Sequence, residues 1–161
     1  ILPQRKVVMK YWLMKSEPGA YFIDDLMAQP GRIDHWDGVR NYQARNFMRD
    51  DMQPGDEVLF YHSGKKPAVV GTARVVTNGY PDHTAWDPLG EHFDPKSTPE
   101  KPIWYMVDIR FETKFFDPLP LSTLRRQPEL ESMLLLKRGM RLSVMPVAAK
   151  EFAFILKLAG K

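Results

Sequence analysis

Apolar residues recur along this chain with two periods, and the switches between them outline its elements. Residues 7–15 form a dense apolar run around Tyr11, Trp12 and Leu13 that reads as a buried strand. Residues 21–29, with Phe22 and Leu26 four apart, take a helical period that Pro30 and Gly31 end. Ala44, Phe47, Met48 and Met52 return to that period, so a second helix is predicted to start near Asn41. Gln53-Pro54-Gly55-Asp56 has proline and glycine where a type II turn needs them. Residues 58–63 then alternate, with Val58, Phe60 and His62 on one face and Leu59, Tyr61 and Ser63 on the other. A turn at Gly64-Lys65-Lys66-Pro67 leads into a β-branched strand over 68–76, completing a hairpin. Gly71 inside that strand marks a bulge or a close backbone approach.

The second half is read in the same way. Residues 103–111 alternate as a long strand, 121–126 and 129–137 read as short helices around Pro128, and 141–144 form a last short strand. Residues 149–159 close the chain as an amphipathic helix through Phe152, Ile155, Leu156 and Ala159. Non-adjacent strands separated by helices, without regular βαβ alternation, point to an α+β fold built on a small, strongly bent mixed sheet or a partly closed β-barrel with helices around it. Residues 78–102 fit neither period. They hold five prolines together with Asp82, His83, Trp86, His92 and Asp94. A connection of that length is expected either to serve as a flap, with Trp86 as its contact, or to be a proline-stiffened surface excursion.

Composition narrows the chemistry. At 161 residues the chain suits one domain, expected over 9–161, with residues 1–8 as an extension ahead of Met9. Zero cysteines remove thiol catalysis and thiolate metal sites. His35, His62, His83 and His92 have no metal-ligand spacing, no glycine-rich phosphate loop is present, and no cofactor is expected. No apolar run is long enough to span a bilayer, so no membrane partner is expected. The net charge of +3 permits a nucleic-acid partner without demanding one. A monomer is expected.

The densest chemistry lies at Trp36-Asp37-Gly38-Val39-Arg40-Asn41, where an indole, a carboxylate, a turn glycine, a guanidinium and a helix-capping amide adjoin. Arg45 and Arg49 follow Asn41 at four-residue spacing and would line one exposed helix face. Lys15-Ser16-Glu17-Pro18 is a bend after the first strand, because Pro18 keeps Glu17 out of the helical region. A tight turn with Trp36 in the core explains the first stretch equally well. Likewise, Glu17 and Asp37 could act as local caps, and Lys65 and Lys66 as an ordinary charged turn.

These stretches, with Gly55-Asp56 to Tyr61-His62-Ser63 and Arg141-Leu142-Ser143-Val144, resemble the EVE domain family in order and wording. The resemblance runs from Met9 to about Ala159 and implies a PUA-like fold related to the YTH domain, which reads methylated adenine in RNA. It implies that Trp36 is a cage tryptophan around a modified base, with Trp12, Tyr61 or Trp86 as its second aromatic. The expected function is a reader that holds a modified nucleobase, a modified cytosine in DNA or a base in RNA, and not an enzyme. The location expected is cytoplasmic in a bacterium and nuclear in a eukaryote.

The expected base-binding set is Lys15, Ser16, Glu17, Trp36, Asp37, Gly38, Val39, Arg40, Asn41, Tyr61, His62, Ser63 and Ser143. Aromatics would stack on the base and a carboxylate would accept from its exocyclic amine. Backbone N–H groups near Gly38 and Asn41 would serve the carbonyl edge. Arg45, Lys65, Lys66 and Arg141 are expected to meet phosphates, as are Lys15 and Arg40. Two alternatives stand beside this reading. One is a nucleotide or RNA hydrolase working through Glu17, Asp37 and His62; the other is a small-molecule-binding module.

Overall fold

The structure, a computed structural model, describes residues 8–161, so the expectations for residues 1–7 lie outside the described residues. The strands are β1 (Tyr11–Ser16), β2 (Ile33–His35), β3 (Glu57–His62), β4 (Ala68–Val75), β5 (Tyr80–Pro81), β6 (Tyr105–Met106), β7 (Asp108–Pro120) and β8 (Val144–Val147). The helices are α1 (Ile23–Met27), α2 (Tyr42–Asn46), α3 (Leu121–Arg125) and α4 (Ala149–Leu158). Six strands form one mixed sheet in the order β2-β7-β4-β3-β1-β8, and β5 and β6 form a separate ribbon. β1 runs parallel to β3 and antiparallel to β8, while β3, β4 and β7 form an antiparallel meander.

The pattern of the sequence explains this order. Leu13, Met14, Val58, Leu59 and Phe60 are fully buried, as expected of central strands covered on both faces. The sheet bends where β4 meets β3 and β7, because the register shifts on either side of Gly71. A Cβ on Gly71 would lie 2.1 Å from the Thr113 carbonyl oxygen and 2.6 Å from Ile23 Cδ1. Only glycine therefore lets β4, β7 and the start of α1 meet there. The expected α+β fold with a small, bent mixed sheet is the one observed.

Several element assignments differ from the sequence reading. The strand expected over 103–111 is split into β6 and β7, which belong to different sheets, and β2 and β5 are not among the expected strands. β7 runs on to Pro120, past the expected end at 111. β2 covers only Asp108 to Arg110 of it, so the far half has an open side that tolerates Pro118 and Pro120. The last strand is Val144–Val147, and Pro146 fits because β8 is an edge strand paired only with β1. The stretch 129–137 is not a helix but two three-residue 3-10 turns, Pro128–Leu130 and Leu134–Leu136. α2 stops at Asn46 and passes into a π-helical turn, Phe47–Asp51.

On one face of the sheet, Asp56 is buried and accepts hydrogen bonds from Trp12 Nε1 (2.9 Å), Gln53 N (3.0 Å) and Lys10 N (3.2 Å). Trp12 is thereby fixed in the core against Phe47.

Candidate functional site

The bend after β1 is held by the backbone around it. Ser16 Oγ donates to the Tyr21 carbonyl (2.9 Å), and Ser63 N donates to the Ser16 carbonyl (2.8 Å). Tyr21, thus placed at the entry to α1, donates from its hydroxyl to Asp34 Oδ2 at 2.6 Å. Burial raises the Tyr21 phenol pKa above its ordinary value and the Asp34 carboxylate raises it further, so the group remains a donor. Trp36 follows β2 and its backbone N–H donates to the Val107 carbonyl (2.8 Å). The indole meets Tyr21 edge-on at 6.2 Å and Phe60 at 5.4 Å.

Trp36 is 8% exposed, and that remaining surface opens into a cleft of about 530 Å3. The core reading and the site reading of this residue are therefore both satisfied. The bend gives Lys15, Ser16 and Glu17 to the cleft, joined by Tyr21. β2 and the turn after it give Asp34, His35, Trp36 and Asp37; Glu91 and His92 reach it from the long loop. Four carboxylates thus line the cleft beside one lysine, Lys15, whose pKa burial lowers. The Asp37 carboxylate accepts no hydrogen bond among the described residues and lies 3.9 Å from His35 Nε2. It is an available acceptor beside an aromatic wall. Among the described residues no group of three His, Asp or Glu side chains is placed to hold a metal ion.

The remaining expected site residues are placed elsewhere, each for a physical reason. Gly38, at φ 80°, donates its N–H to Asp82 Oδ2 (2.9 Å), so this group is already committed within the protein. Val39 is core. Asn41 caps α2, its Oδ1 accepting from Ala44 N at 3.0 Å. Arg40 does not face the cleft. Its Nη1 donates to Asp82 Oδ2 (3.0 Å) and to its neighbour's carbonyl, its Nη2 donates to the His92 carbonyl (2.7 Å), and its guanidinium lies over Trp104. Arg45 is bound to the Ile103 carbonyl (2.8 Å) and stacked on Tyr42, and Arg49 is paired with Asp50 over Tyr105. The exposed cationic helix face expected from their spacing is not formed.

Tyr61 is buried on the opposite side of β3 from Phe60, under the Lys15 ammonium, and does not line the cleft with Trp36. Ser63 and Ser143 contribute backbone fastenings, Ser63 to Ser16 and Ser143 through its carbonyl to Lys15 N (2.8 Å). His62 is buried behind α1, where its Nε2 accepts from Ile23 N (3.1 Å) and its ring faces Phe22. Burial lowers its pKa. The set Glu17, Asp37 and His62 is therefore not assembled in one place. Arg141 is exposed, and Lys65 and Lys66 are exposed beside a separate groove.

The loop over 78–102 is built rather than loose. It contains β5 and a 3-10 turn, His83–Trp86, capped by the Asp82 side chain. Asp82 is fully buried. Burial opposes its charge, but hydrogen bonds from Thr84, Gly38 and Arg40 outweigh that and hold its carboxyl below the ordinary value. This anchor brings Glu91 and His92 to the cleft, in place of the expected Trp86. Sequence reasoning missed Tyr21, Asp34, His35, Glu91 and His92 as lining residues. The proximity of Tyr21 to the bend was the one local signal.

The EVE domain family model matches residues 10–158. Thymocyte nuclear protein 1 of Homo sapiens is 40% identical over 174 residues, covering 97% of this chain and 76% of that protein. A hypothetical protein from Leishmania major has a solved structure that superposes with a TM-score of 0.90 at 49% identity, covering 95% of this chain and 96% of that one. The human THYN1 protein, solved in complex with 5-methylcytosine containing DNA, superposes with a TM-score of 0.87 at 41% identity, covering 94% and 98%. With its bent mixed sheet, its Trp36 turn and its matched length, the chain belongs to the EVE domain family.

Proposed function

We propose that this chain is a reader of modified cytosine in DNA, taking one flipped base into the Trp36 cleft, and that it performs no chemistry on it. The observation that supports this most is the placement of the Asp37 carboxylate beside Trp36, in a cleft otherwise rich in carboxylates. That carboxylate accepts no hydrogen bond among the described residues and has only His35 at 3.9 Å. Such a cleft repels a phosphate but suits a neutral base with amine donors on its edge. Asp37 accepts from the exocyclic amine of cytosine, the pairing expected of a carboxylate. Trp36 packs against the ring and its substituent, and Tyr21 and His92 are the neighbouring aromatic groups in place of Trp12, Tyr61 or Trp86. The similarity to human THYN1, solved with 5-methylcytosine containing DNA, supports cytosine as the base.

A methyl group buried in a fitted pocket gives about a 10- to 200-fold preference over the unmodified base. Titration of matched methylated and unmethylated oligonucleotides, in DNA and RNA, measures that ratio directly. Asp37→Asn is expected to weaken binding and leave the oligonucleotide chemically unchanged in either protein. Conversion of the oligonucleotide by the wild type, stopped by Asp37→Asn, would overturn the reader in favour of a hydrolase.

A further inference from the structure

A second concavity, of about 1010 Å3, lies on the other side of the segment that enters α1. Tyr21 faces the reader cleft, and the next residues, Phe22 and Ile23, line this groove. The hairpin turn ahead of Lys65 also lies near the bend after Glu17: a Cβ on Gly64 would touch Pro18 Cδ at 4.0 Å. The composition of the groove is the reverse of the cleft's. No carboxylate lines it, while Lys65, Lys66, Lys114 and Arg125 do, together with an apolar lining dominated by prolines and phenylalanines. Lys114 is partly neutralised by Asp24 at 2.8 Å, and Arg125 donates to the Leu136 carbonyl (3.2 Å). Lys65 and Lys66 make no ion pair among the described residues.

Aromatic rings stand at the rim. Phe116 is 94% exposed on β7, and Phe22 is 37% exposed beneath the Lys114 ammonium. An exposed phenylalanine next to unpaired lysines has no packing role here. It does have the makings of a stacking platform beside a phosphate track, which is how sequence-tolerant single-strand sites are built.

We propose that this groove holds the nucleotides flanking the base in the Trp36 cleft, with Phe116 and Phe22 stacking on bases and Lys65 and Lys66 meeting phosphates. The proposal rests on the reader function above and gives it a division of labour. The carboxylate-lined cleft selects the base, and the carboxylate-free groove supplies the affinity for the strand that the cleft lacks. Charge complementarity favours a polyanion, and the adjacency of cleft and groove across Tyr21 and Phe22 favours the same strand over a separate protein partner.

The test compares a trinucleotide centred on 5-methylcytosine with single strands extended on one side and then the other. It uses the wild type, the double variant Lys65→Ala/Lys66→Ala, Phe116→Ala and Trp36→Phe. All three groove positions are exposed, so these variants are expected to fold. The wild type should bind one of the extended strands more tightly than the trinucleotide. Phe116→Ala should lose about tenfold of that gain. The double lysine variant should lower the log–log salt slope by about 0.7 per lysine on single strands. Neither should change the methylated-to-unmethylated ratio, which Trp36→Phe should reduce.

Groove variants with wild-type affinity and slope, beside a Trp36→Phe protein that loses the ratio, would overturn the groove and leave the reader standing. Loss of strand affinity in the groove variants with no methyl preference in the wild type would support the groove and overturn the reader. Preferential capture of an acidic, aromatic peptide, lost in Phe116→Ala while oligonucleotide binding persists, would overturn the groove as a strand site and make it a protein-docking surface.

Discussion

Gly38 lies against the imidazole of His92, so closely that a Cβ there would sit 2.6 Å from Cε1 and 2.7 Å from Nε2. The turn that presents Trp36 and the loop that faces it thus touch through the His92 ring, with no room for a side chain at position 38. Gly38→Ala is expected to lose about 1–2 kcal/mol from the left-handed backbone alone. It should also push the His92 ring out of place. Denaturant unfolding reads the first effect, and the His92 ring resonances on adding a methylated oligonucleotide read the second.

Arg40 and Asp82 fasten that loop from 42 residues away in sequence. Arg40→Met leaves Asp82 buried without its ion partner, although the Gly38 and Thr84 bonds remain. We expect a loss of about 2–3 kcal/mol, because a buried charge that loses one of several partners is costly even when the rest persist. Proteolysis within 78–102 should rise in this variant, whereas a phosphate-binding role for Arg40 would instead leave protease resistance unchanged and reduce the salt slope.

Trp36 has structural and functional work at once, and the two can be separated. Trp36→Ala should lose about 3–5 kcal/mol of stability, as large aromatic truncations in cores do. Trp36→Phe retains contact with Tyr21 and Phe60 but offers a smaller face to the base. It should melt near the wild type and lose most of the methyl preference, which paired melting and binding curves will show.

Two buried groups give opposite pH slopes. Glu57 is pushed up from 4.5 to about 7 by desolvation and by the neighbouring Glu112 carboxylate, which outweigh the opposing pull of Arg74. Its contribution to stability is therefore present below pH 4.5 and lost as pH rises towards 7. His62 is shifted down by burial from 6.5, so its contribution is present above that value and lost as pH falls through the folded pKa. Glu112→Gln removes the neighbouring negative charge and should flatten the Glu57 slope between pH 4.5 and 7. Urea unfolding at stepped pH would show it, and an unchanged slope would mean that another group controls this window.

The local rules were legible wherever one short stretch contained both partners. The Asn41 cap, the turn at Gly55 and the close approach at Gly71 all follow from the residue and its nearest neighbours. What lay hidden depends on a distant partner. Arg40 looked like a free cation because Asp82 sits in a loop with no periodicity. Tyr61 looked available because alternation assigns a face without saying whether helix or solvent covers it. Pro118, Pro120 and Pro146 concealed strand because a proline is tolerated only where one side of the strand is unpaired, and sequence does not show which side that is.

The placement of β1 in the sheet has a consequence for synthesis. The first strand of the chain is joined on one side by β3 and on the other by β8, the last strand. While residues up to Pro120 emerge, the meander can close, but the outer edge of β1 remains open, presenting Trp12, Leu13 and Met14. The nascent chain therefore exposes an apolar, unpaired edge until its final segment arrives. A chain cut before Val144 should collect in the insoluble fraction. The backbone link from Lys15 to Ser143 is made by that same late segment, so the bend beneath Trp36 is among the last features of the molecule to be set.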